Sequence, residues 1–471
     1  MLVERPRAKS KLHHQYPQNR RRPSALAIVI AGYAIILSIF GAAEVTWGMR
    51  GFVLAATAMF FVPAAIKFGA SAGWAVLPRL ARFGAIIFIV FCLIQLVPMP
   101  SAIWTLFPGN EKRAAILAIA GFGHAWMPLT LTPIASLYGT LLAISTVILL
   151  CGLAALPRNE FRMIVALTFV IVIVGIAIGV VQVTTAGQVF AFYSATDAGA
   201  LVGFYANKNH MALALVCSVP LAHLLSVRST DTVKHAHFAF LGYWAFVALI
   251  IPLTNSRAGL AIGLLVSLIM AWCLFGKVRT RAKVGGSVIV ALIVATFLLA
   301  PLPASLVGRL DSVADDLRWP MLLHSLDVWR IYWIFGSGLG SFADVFMTYE
   351  KLEWLFPTYV NNVHNDYVQL GIETGIFGLL SLGLFLLGLA SLVPAGLRAH
   401  SASARASAIV GLTIVLAFML HSVVDYPLRR PAALLIAIIG VAALCRASVA
   451  VVGISDCQQT LSGRHTTPEH R

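Results

Sequence analysis

Charged residues are scarce in this chain of 471 residues. Only 11% of them are Asp, Glu, Lys or Arg, whereas 59% are hydrophobic. A typical soluble domain has roughly 25% charged residues. Burying this much apolar surface requires lipid rather than a larger protein core. The composition therefore excludes a soluble globular protein and predicts a polytopic membrane protein of the all-α class.

Cysteines are also few, and none is placed for a disulfide or a metal site. The chain has six, without a CxxC motif or a Cys/His ligand spacing. Five fall in apolar runs, and Cys457 falls in the C-terminal tail. We therefore expect cysteines buried in apolar surroundings.

Acidic residues are outnumbered by basic ones, 18 to 34. The basic residues lie in short connections between apolar runs and not on one continuous face. They therefore indicate which connections are cytoplasmic, and they are not evidence of nucleic-acid binding. The clearest of these connections contains Lys277, Arg279, Arg281 and Lys283. A cytoplasmic N-terminus places most Lys and Arg residues on the cytoplasmic side. We predict that both termini are cytoplasmic.

Twelve apolar runs have the length of a membrane span or nearly so. They are residues 24–40, 52–68, 83–97, 136–156, 163–183, 211–227, 238–253, 260–275, 287–300, 376–393, 409–424 and 432–452. The predicted organisation is a cytoplasmic basic tail (1–23), nine spans (24–300), one large exported loop (301–371), three spans (372–452) and a cytoplasmic tail (453–471).

The motif in which we expect the chemistry lies at the end of the polar exported loop, at residues 360–378. Asn361 or Asn362 is predicted to cap a helix, with His364 in its first turn. Gly371 and Gly375 form a small-xxx-small pair that would let a neighbouring backbone approach closely.

Two shorter clusters lie on the same predicted side of the membrane. Lys208, Asn209 and His210 precede the sixth span, where they form either a solvated loop with an Asn cap or a grip for an anion at a helix N-terminus. Arg257 lies near the hydrocarbon boundary, where it either snorkels to the headgroups or binds a phosphate through its planar fork.

A third cluster follows the eleventh span. His421 and Asp425 are four residues apart, so one helical face could hold an imidazole oriented by the carboxylate. Arg429 and Arg430 are basic residues on the exported side, and they require an anionic partner, either Asp425 or a ligand.

Within the long loop, a glycine-rich stretch at 336–342 lacks a P-loop lysine and a preceding strand. It predicts a tight turn before a helix, and not a nucleotide site. Asp311, Asp315 and Asp316 match no standard calcium loop. All the polar clusters share one predicted membrane face, which suits a lipid diphosphate held by cations beside a histidine that accepts a proton.

Five motifs resemble the O-antigen ligase and polymerase family. They are N-x-N-H at 207–210, T-N-S-R at 254–257, Arg318 followed by G-x-G-x-G at 336–340, H-N-D-Y-x-Q at 364–369 with E-T-G-x-x-G, and H-S-x-x-D-Y-P at 421–427. The likeness extends from about residue 203 to 431, and the H-N-D-Y-x-Q segment is its most specific part. Trp333 departs from the pattern, because many relatives have Pro before the glycine turn.

The resemblance implies a GT-C-like enzyme of the bacterial inner membrane that moves a glycan from undecaprenyl diphosphate to an acceptor hydroxyl on the periplasmic face. It also implies that the reaction uses no nucleotide sugar, no metal and no other cofactor. By matching position, Arg257 and Arg318 would bind the diphosphate, and His364 would orient or deprotonate the acceptor. The supporting residues would be Asn207, Lys208, Asn209, His210, Asn365, Asp366, Tyr367, His421, Asp425, Arg429 and Arg430.

The acceptor is left open by the resemblance. A ligase would use lipid A core, a polymerase a growing polysaccharide, and a protein O-oligosaccharyltransferase the hydroxyl of Ser or Thr. A lipid or polysaccharide transporter is a more remote alternative. A transporter should carry mid-membrane charges on an inverted repeat, and the sequence has no internal repeat and almost no mid-span charge.

Overall fold

The structure is a computed structural model that describes residues 22–42, 47–193, 199–227, 234–274, 313–354 and 360–462. These residues are mostly helical. The α-helices are α1 (Ala25–Phe40), α2 (Trp47–Ala55), α3 (Val62–Lys67), α4 (Arg79–Gln95), α5 (Ser101–Trp104), α6 (Glu111–Ile119), α7 (Pro133–Ala155), α8 (Arg158–Thr184), α9 (Lys208–Ser226), α10 (Lys234–Ile250), α11 (Arg257–Leu274), α12 (Val313–Tyr332), α13 (Phe342–Tyr349), α14 (Asp366–Ala390), α15 (Val393–Leu397), α16 (Ala402–His421) and α17 (Pro431–Ser462). A π-helical turn, Ala56–Phe61, joins α2 to α3, and two-residue strands β1 (Pro98–Met99) and β2 (Met127–Pro128) pair antiparallel.

The described helices confirm an all-α polytopic membrane protein. Eight helical segments among the described residues are long and apolar enough to cross a membrane, and shorter apolar helices accompany them. Each predicted span within these residues overlaps a helix, whereas the predicted span at 287–300 lies outside them. The number of spans, the domain boundaries and the orientation of the termini stay predictions.

Helices α16 and α17 form the centre of the main core. Leu435, Ile439 and Leu444 of α17 are completely or almost completely buried. The two helices approach closely at Gly411, where a Cβ atom would collide with the side chain of Leu444 and the backbone of Gly440. This close contact fixes α16, whose C-terminal end carries the residues of the candidate site.

The cysteines are packed as predicted. Cys92, Cys151, Cys217 and Cys445 are buried and free, and Cys273 is half-buried. The side chain of Cys457 lies outside the part of the chain that the structure describes.

A second, smaller apolar core lies in the segment predicted as an exported loop. Helices α12 and α13 pack there against the start of α14. The buried residues of this core are Val328, Tyr332, Phe342, Val345, Phe346, Val363, Val368 and Ile372.

Helix α14 is interrupted at Gly375, whose φ of +57° and ψ of −151° are accessible essentially only to glycine. A Cβ atom at this position would collide with the carbonyl of Ile334, so the predicted close backbone approach is confirmed here. Gly371, the other member of the small-residue pair, faces the ring of Trp329 instead.

The glycine-rich loop at 336–340 completes the hydrogen bonding of this broken helix. The backbone N–H of Ser337 donates to the carbonyl of Ile372, and that of Gly338 donates to the carbonyl of Glu373, both at 2.9 Å. All three glycines of the loop have positive φ, and α13 begins immediately after it. The predicted tight turn before a helix is confirmed.

Candidate active site

His364 lies just before helix α14 and not in its first turn. The helix begins at Asp366, and the side-chain oxygen of Asn365 accepts hydrogen bonds at 3.0 Å from two backbone N–H groups of the first turn. The prediction that Asn361 or Asn362 caps the helix is therefore wrong.

Tertiary contacts select Asn365 as the cap. Its side-chain amide donates to the carbonyl of Val423 at 2.9 Å. The next residue, Asp366, donates its backbone N–H to the carbonyl of Ser422, and its carboxylate accepts from the hydroxyl of Ser422 at 2.8 Å and from the N–H of Leu428 at 3.1 Å. These bonds dock the start of α14 on the loop that follows α16.

The buried carboxylate of Asp425 is the centre of the site. Its Oδ2 accepts hydrogen bonds from the amide of Asn209 at 2.7 Å and from that of Asn207 at 3.4 Å, and its Oδ1 accepts from the backbone N–H of Tyr426 at 2.9 Å. Helix α16 ends at His421, but the backbone N–H of Asp425 still donates to the carbonyl of His421 at 2.9 Å. One further turn therefore places the Asp425 carboxylate beside the His421 imidazole, as the i, i+4 spacing predicted.

Three imidazoles surround this carboxylate. Nδ1 of His364 lies 3.3 Å from Oδ1, Nε2 of His210 lies 3.8 Å from Oδ1, and Nε2 of His421 lies 3.9 Å from Oδ2. Burial alone would raise the pKa of Asp425, but the nearby imidazoles, His364 first among them, lower it below its ordinary value. The carboxylate is therefore ionised at neutral pH.

His364 is the one of these three histidines that reaches the surface. Its side chain is 22% exposed, whereas those of His210 and His421 are 1% and 0% exposed. The His364 ring packs edge-on against Tyr426, with ring centroids 4.8 Å apart. Since Nδ1 faces the carboxylate, Nε2 is the ring nitrogen that an external hydroxyl could reach.

The backbone of His364 is held in a left-handed conformation, with φ of +58°. The side chain of Gln369 holds the two residues that precede His364. Its Oε1 accepts from the N–H of Val363 at 3.2 Å, and its Nε2 donates to Oδ1 of Asn362 at 3.3 Å. The same Nε2 donates to Oε1 of Glu373 at 3.1 Å, one turn further along α14. A chain of polar contacts thus supports the strained residue.

Arg429 has a different partner from the one predicted. Its guanidinium pairs with the carboxylate of Glu373 and lies 3.5 Å from Oδ1 of Asp366. Burial alone would lower the pKa of Arg429, but these two carboxylates raise it. The prediction of Asp425 or a ligand as its counter-ion is therefore wrong.

Of the two interpretations of Lys208, Asn209 and His210, the structure confirms the one with an Asn cap. Asn207 caps α9, its side-chain oxygen accepting from the N–H of Asn209 at 2.8 Å. Asn209 and His210 are buried around Asp425, so the alternative in which they grip an outside anion is wrong for these two residues. Lys208 is half-buried at the first residue of the helix.

Arg257 is exposed at the first residue of α11. The preceding Ser256 donates its hydroxyl to Oδ1 of Asn209 at 2.7 Å, which joins the start of this helix to the Asp425 cluster. Arg318 lies on α12, but its side chain is outside the described part of the structure, as are Asp311 and the side chains of Asp315 and Asp316.

The remaining supporting residues are structural in their contacts. Arg430 is buried with its guanidinium 4.9 Å above the ring of Tyr426, so it does not add a cation to the surface. The hydroxyl of Tyr367 donates to the carbonyl of Met419 at 2.7 Å, which ties α14 to α16.

Sequence reasoning did not assign roles to Gln369, Glu373 or Ser256. Gln369 and Glu373 are polar residues four apart on an otherwise apolar helix, and that spacing places them on one face. This signal could have identified them, because a buried polar pair within a membrane protein requires partners.

The helical bundle and its buried carboxylate define a polytopic membrane protein in which three imidazoles surround one carboxylate, where several helices begin or end. Residues 239–383 match the family model of O-antigen ligase, and this match confirms the predicted resemblance over these residues. The motifs at 207–210 and 421–427 lie outside the match. It supports a function of the O-antigen ligase or polymerase type. The matched segment contains Arg257, Arg318 and His364, whereas Asp425 lies beyond it. No curated protein matches the chain.

Proposed function

We propose that this protein transfers a glycan from undecaprenyl diphosphate to an acceptor hydroxyl at the periplasmic face of the bacterial inner membrane. The observation that carries the proposal is the 3.3 Å separation of His364 Nδ1 and Asp425 Oδ1 in a partly exposed imidazole. The match to O-antigen ligase over residues 239–383 supports the reaction class.

In this proposal His364 is the general base. Asp425 favours the tautomer that carries its proton on Nδ1, so the lone pair of Nε2 accepts the proton of the acceptor hydroxyl. The acceptor oxygen forms a bond to the anomeric carbon while the bond from that carbon to the diphosphate oxygen breaks. The electron pair leaves with undecaprenyl diphosphate, and the carboxylate of Asp425 stabilises the imidazolium.

Arg257 and Arg318 would neutralise the diphosphate. The exposed guanidinium of Arg257 stands at the N-terminal end of α11, where free backbone N–H groups also favour an anion. Arg257→Lys retains the charge but loses the paired donors, so we expect the KM for the lipid-linked donor to rise about tenfold.

The matched control is Arg330→Lys. Arg330 is exposed and pairs with Asp327 on the surface, so this change should leave donor use unaltered. An Arg257→Lys enzyme with unaltered donor kinetics would assign this residue to snorkelling.

The proposed enzyme uses a lipid-linked donor without a metal. Transfer by the purified chain should persist in a chelator and should not occur when the donor is a nucleotide sugar. Loss of transfer in the chelator would contradict the metal-independent assignment.

The acceptor distinguishes three forms of the proposal. In a deletion strain, full-length polymer stranded on the carrier would assign a ligase acting on lipid A core, and single repeat units would assign a polymerase that extends a polysaccharide. Loss of glycan from proteins alone would assign a protein O-oligosaccharyltransferase.

A further inference from the structure

A cavity of about 400 Å³ lies at the end of the bundle opposite the candidate active site. Helix α16 begins beside this cavity and ends in the active site at His421, and its 20 residues correspond to about 30 Å. That length equals the hydrocarbon thickness of a typical bilayer, about 30 Å. The cavity therefore lies at the level of the opposite headgroups.

Six of the thirteen residues that line the cavity carry guanidinium or hydroxyl groups, and the other seven are apolar. Among the described residues, no Asp or Glu side chain lines it. The polar lining residues are Arg158, Arg162, Arg446, Ser401, Ser403 and Ser407.

Arg446 is held rigidly in this wall. One of its terminal nitrogens, Nη1, donates to the carbonyls of Leu153, Ala154 and Leu156 at the C-terminal end of α7, at 3.2, 2.9 and 2.6 Å. Its guanidinium also lies 4.7 Å above the ring of Phe161. These neighbours carry no formal charge, so they hold the guanidinium in place and offset its positive charge only in part.

Arg162 is anchored in the same way at the C-terminal end of α9. Its terminal nitrogens donate to the carbonyls of Leu224, Leu225 and Val227 at distances between 2.6 and 2.9 Å. Two guanidinium groups with fixed orientations therefore line the cavity, so ligand binding would not cost the conformational entropy of ordering them.

The other side of the cavity provides donors that are not committed to carbonyls. Arg158 is exposed at the first residue of α8, and no ion pair holds it within the described chain. Ser403 and Ser407 are one helical turn apart on α16, whose N-terminal end opens at the cavity with Ser401 as its cap. A helix N-terminus with hydroxyls and arginines is the donor set that binds phosphate in proteins.

We propose that this cavity binds a phosphate group on the membrane face opposite the active site. The phosphate has two possible sources, the headgroup of an anionic phospholipid or a soluble phosphate ion. The cavity is much larger than the roughly 30 Å³ of one water molecule, and it lies at the headgroup level, so it has room for a phosphate together with the glycerol that carries it. This site is separate from the proposed glycan transfer, because it uses none of the residues around Asp425.

The test uses the full-length protein purified in detergent. Native mass spectrometry measures retention of added phosphatidylglycerol against phosphatidylcholine, and thermal unfolding measures the response to inorganic phosphate. The wild type should prefer phosphatidylglycerol if the source is a lipid, or gain stability from inorganic phosphate if the source is soluble. Arg158→Gln should reduce whichever binding is seen about tenfold, because one charge-assisted contact is lost.

Arg405→Gln is the matched control, since Arg405 is an exposed arginine on the same helix as Ser403 and Ser407 but does not line the cavity. The double change Ser403→Ala and Ser407→Ala removes donors without altering charge, and it should weaken binding in the same direction as Arg158→Gln. The proposal is overturned if the wild type shows neither response, or if Arg405→Gln reduces binding as much as Arg158→Gln does.

Discussion

His364 is the imidazole nearest to Asp425, with 3.3 Å between Nδ1 and Oδ1, although the two residues belong to different segments. His364 precedes α14, and Asp425 follows α16. The pair exists because the start of α14 is docked on the loop after α16, through Asn365 and Asp366. The two other histidines near the carboxylate are buried, so within the described site an external hydroxyl could reach only His364.

Asp425→Asn should reduce the turnover number for glycan transfer about a hundredfold or more. An amide can donate to Nδ1 and so favours the wrong tautomer, and it cannot stabilise the imidazolium. The KM for the lipid-linked donor should change little, because the contacts of Asp425 among the described residues do not include Arg257. The measurement is the initial rate of transfer by the purified variant.

Asp327→Asn provides the control for this change, because Asp327 is an exposed carboxylate paired with Arg330 on the surface. It should leave transfer unchanged. Wild-type turnover in Asp425→Asn would show that the carboxylate does not assist the base.

Gln369→Ala should lower turnover between about 10- and 100-fold, because His364 loses the support of the two residues before it. Gln369 acts as a positioning residue, so its effect should pass through His364. In a His364→Ala background the additional change should therefore cause no further loss. Equal losses in both backgrounds would mean that Gln369 acts independently of the imidazole.

Glu373→Gln should destabilise the protein by about 3 kcal/mol, since it removes the main partner of a largely buried arginine. The expected readout is a lower midpoint of thermal unfolding in detergent. Glu353→Gln serves as the control: Glu353 is 69% exposed and lies 3.9 Å from Lys351, a surface contact that contributes less than about 1 kcal/mol. Similar midpoints for the two variants would contradict the assigned role of the buried pair.

Gly375→Ala should also lower the unfolding midpoint. The backbone conformation at Gly375 excludes other residues, and a methyl group would collide with the carbonyl of Ile334. Gly383→Ala on the same helix meets nothing within 4 Å and should be neutral or slightly stabilising. If both changes had the same effect, the broken turn would not be required by the fold.

The helices were largely predictable from the sequence, because a membrane span is encoded locally by a run of apolar residues. The tight turn at 336–340 was also predictable, since three alternating glycines allow backbone conformations that other residues rarely adopt.

The details of the site depended on tertiary contacts that no local pattern reveals. Asn361, Asn362 and Asn365 have the same intrinsic preference for a helix cap. Asn365 is selected because its amide also reaches the carbonyl of Val423 on another segment. For the same reason the sequence did not reveal that Arg429 pairs with Glu373, which lies on a different helix.

The most direct test of the account is glycan transfer by the purified full-length protein with an undecaprenyl-diphosphate-linked donor, comparing the wild type with His364→Ala. We predict that the wild type transfers glycan and that the variant loses at least about a hundredfold in turnover while still binding the donor. Transfer by His364→Ala at the wild-type rate would contradict the central claim that this imidazole, oriented by Asp425, is the base.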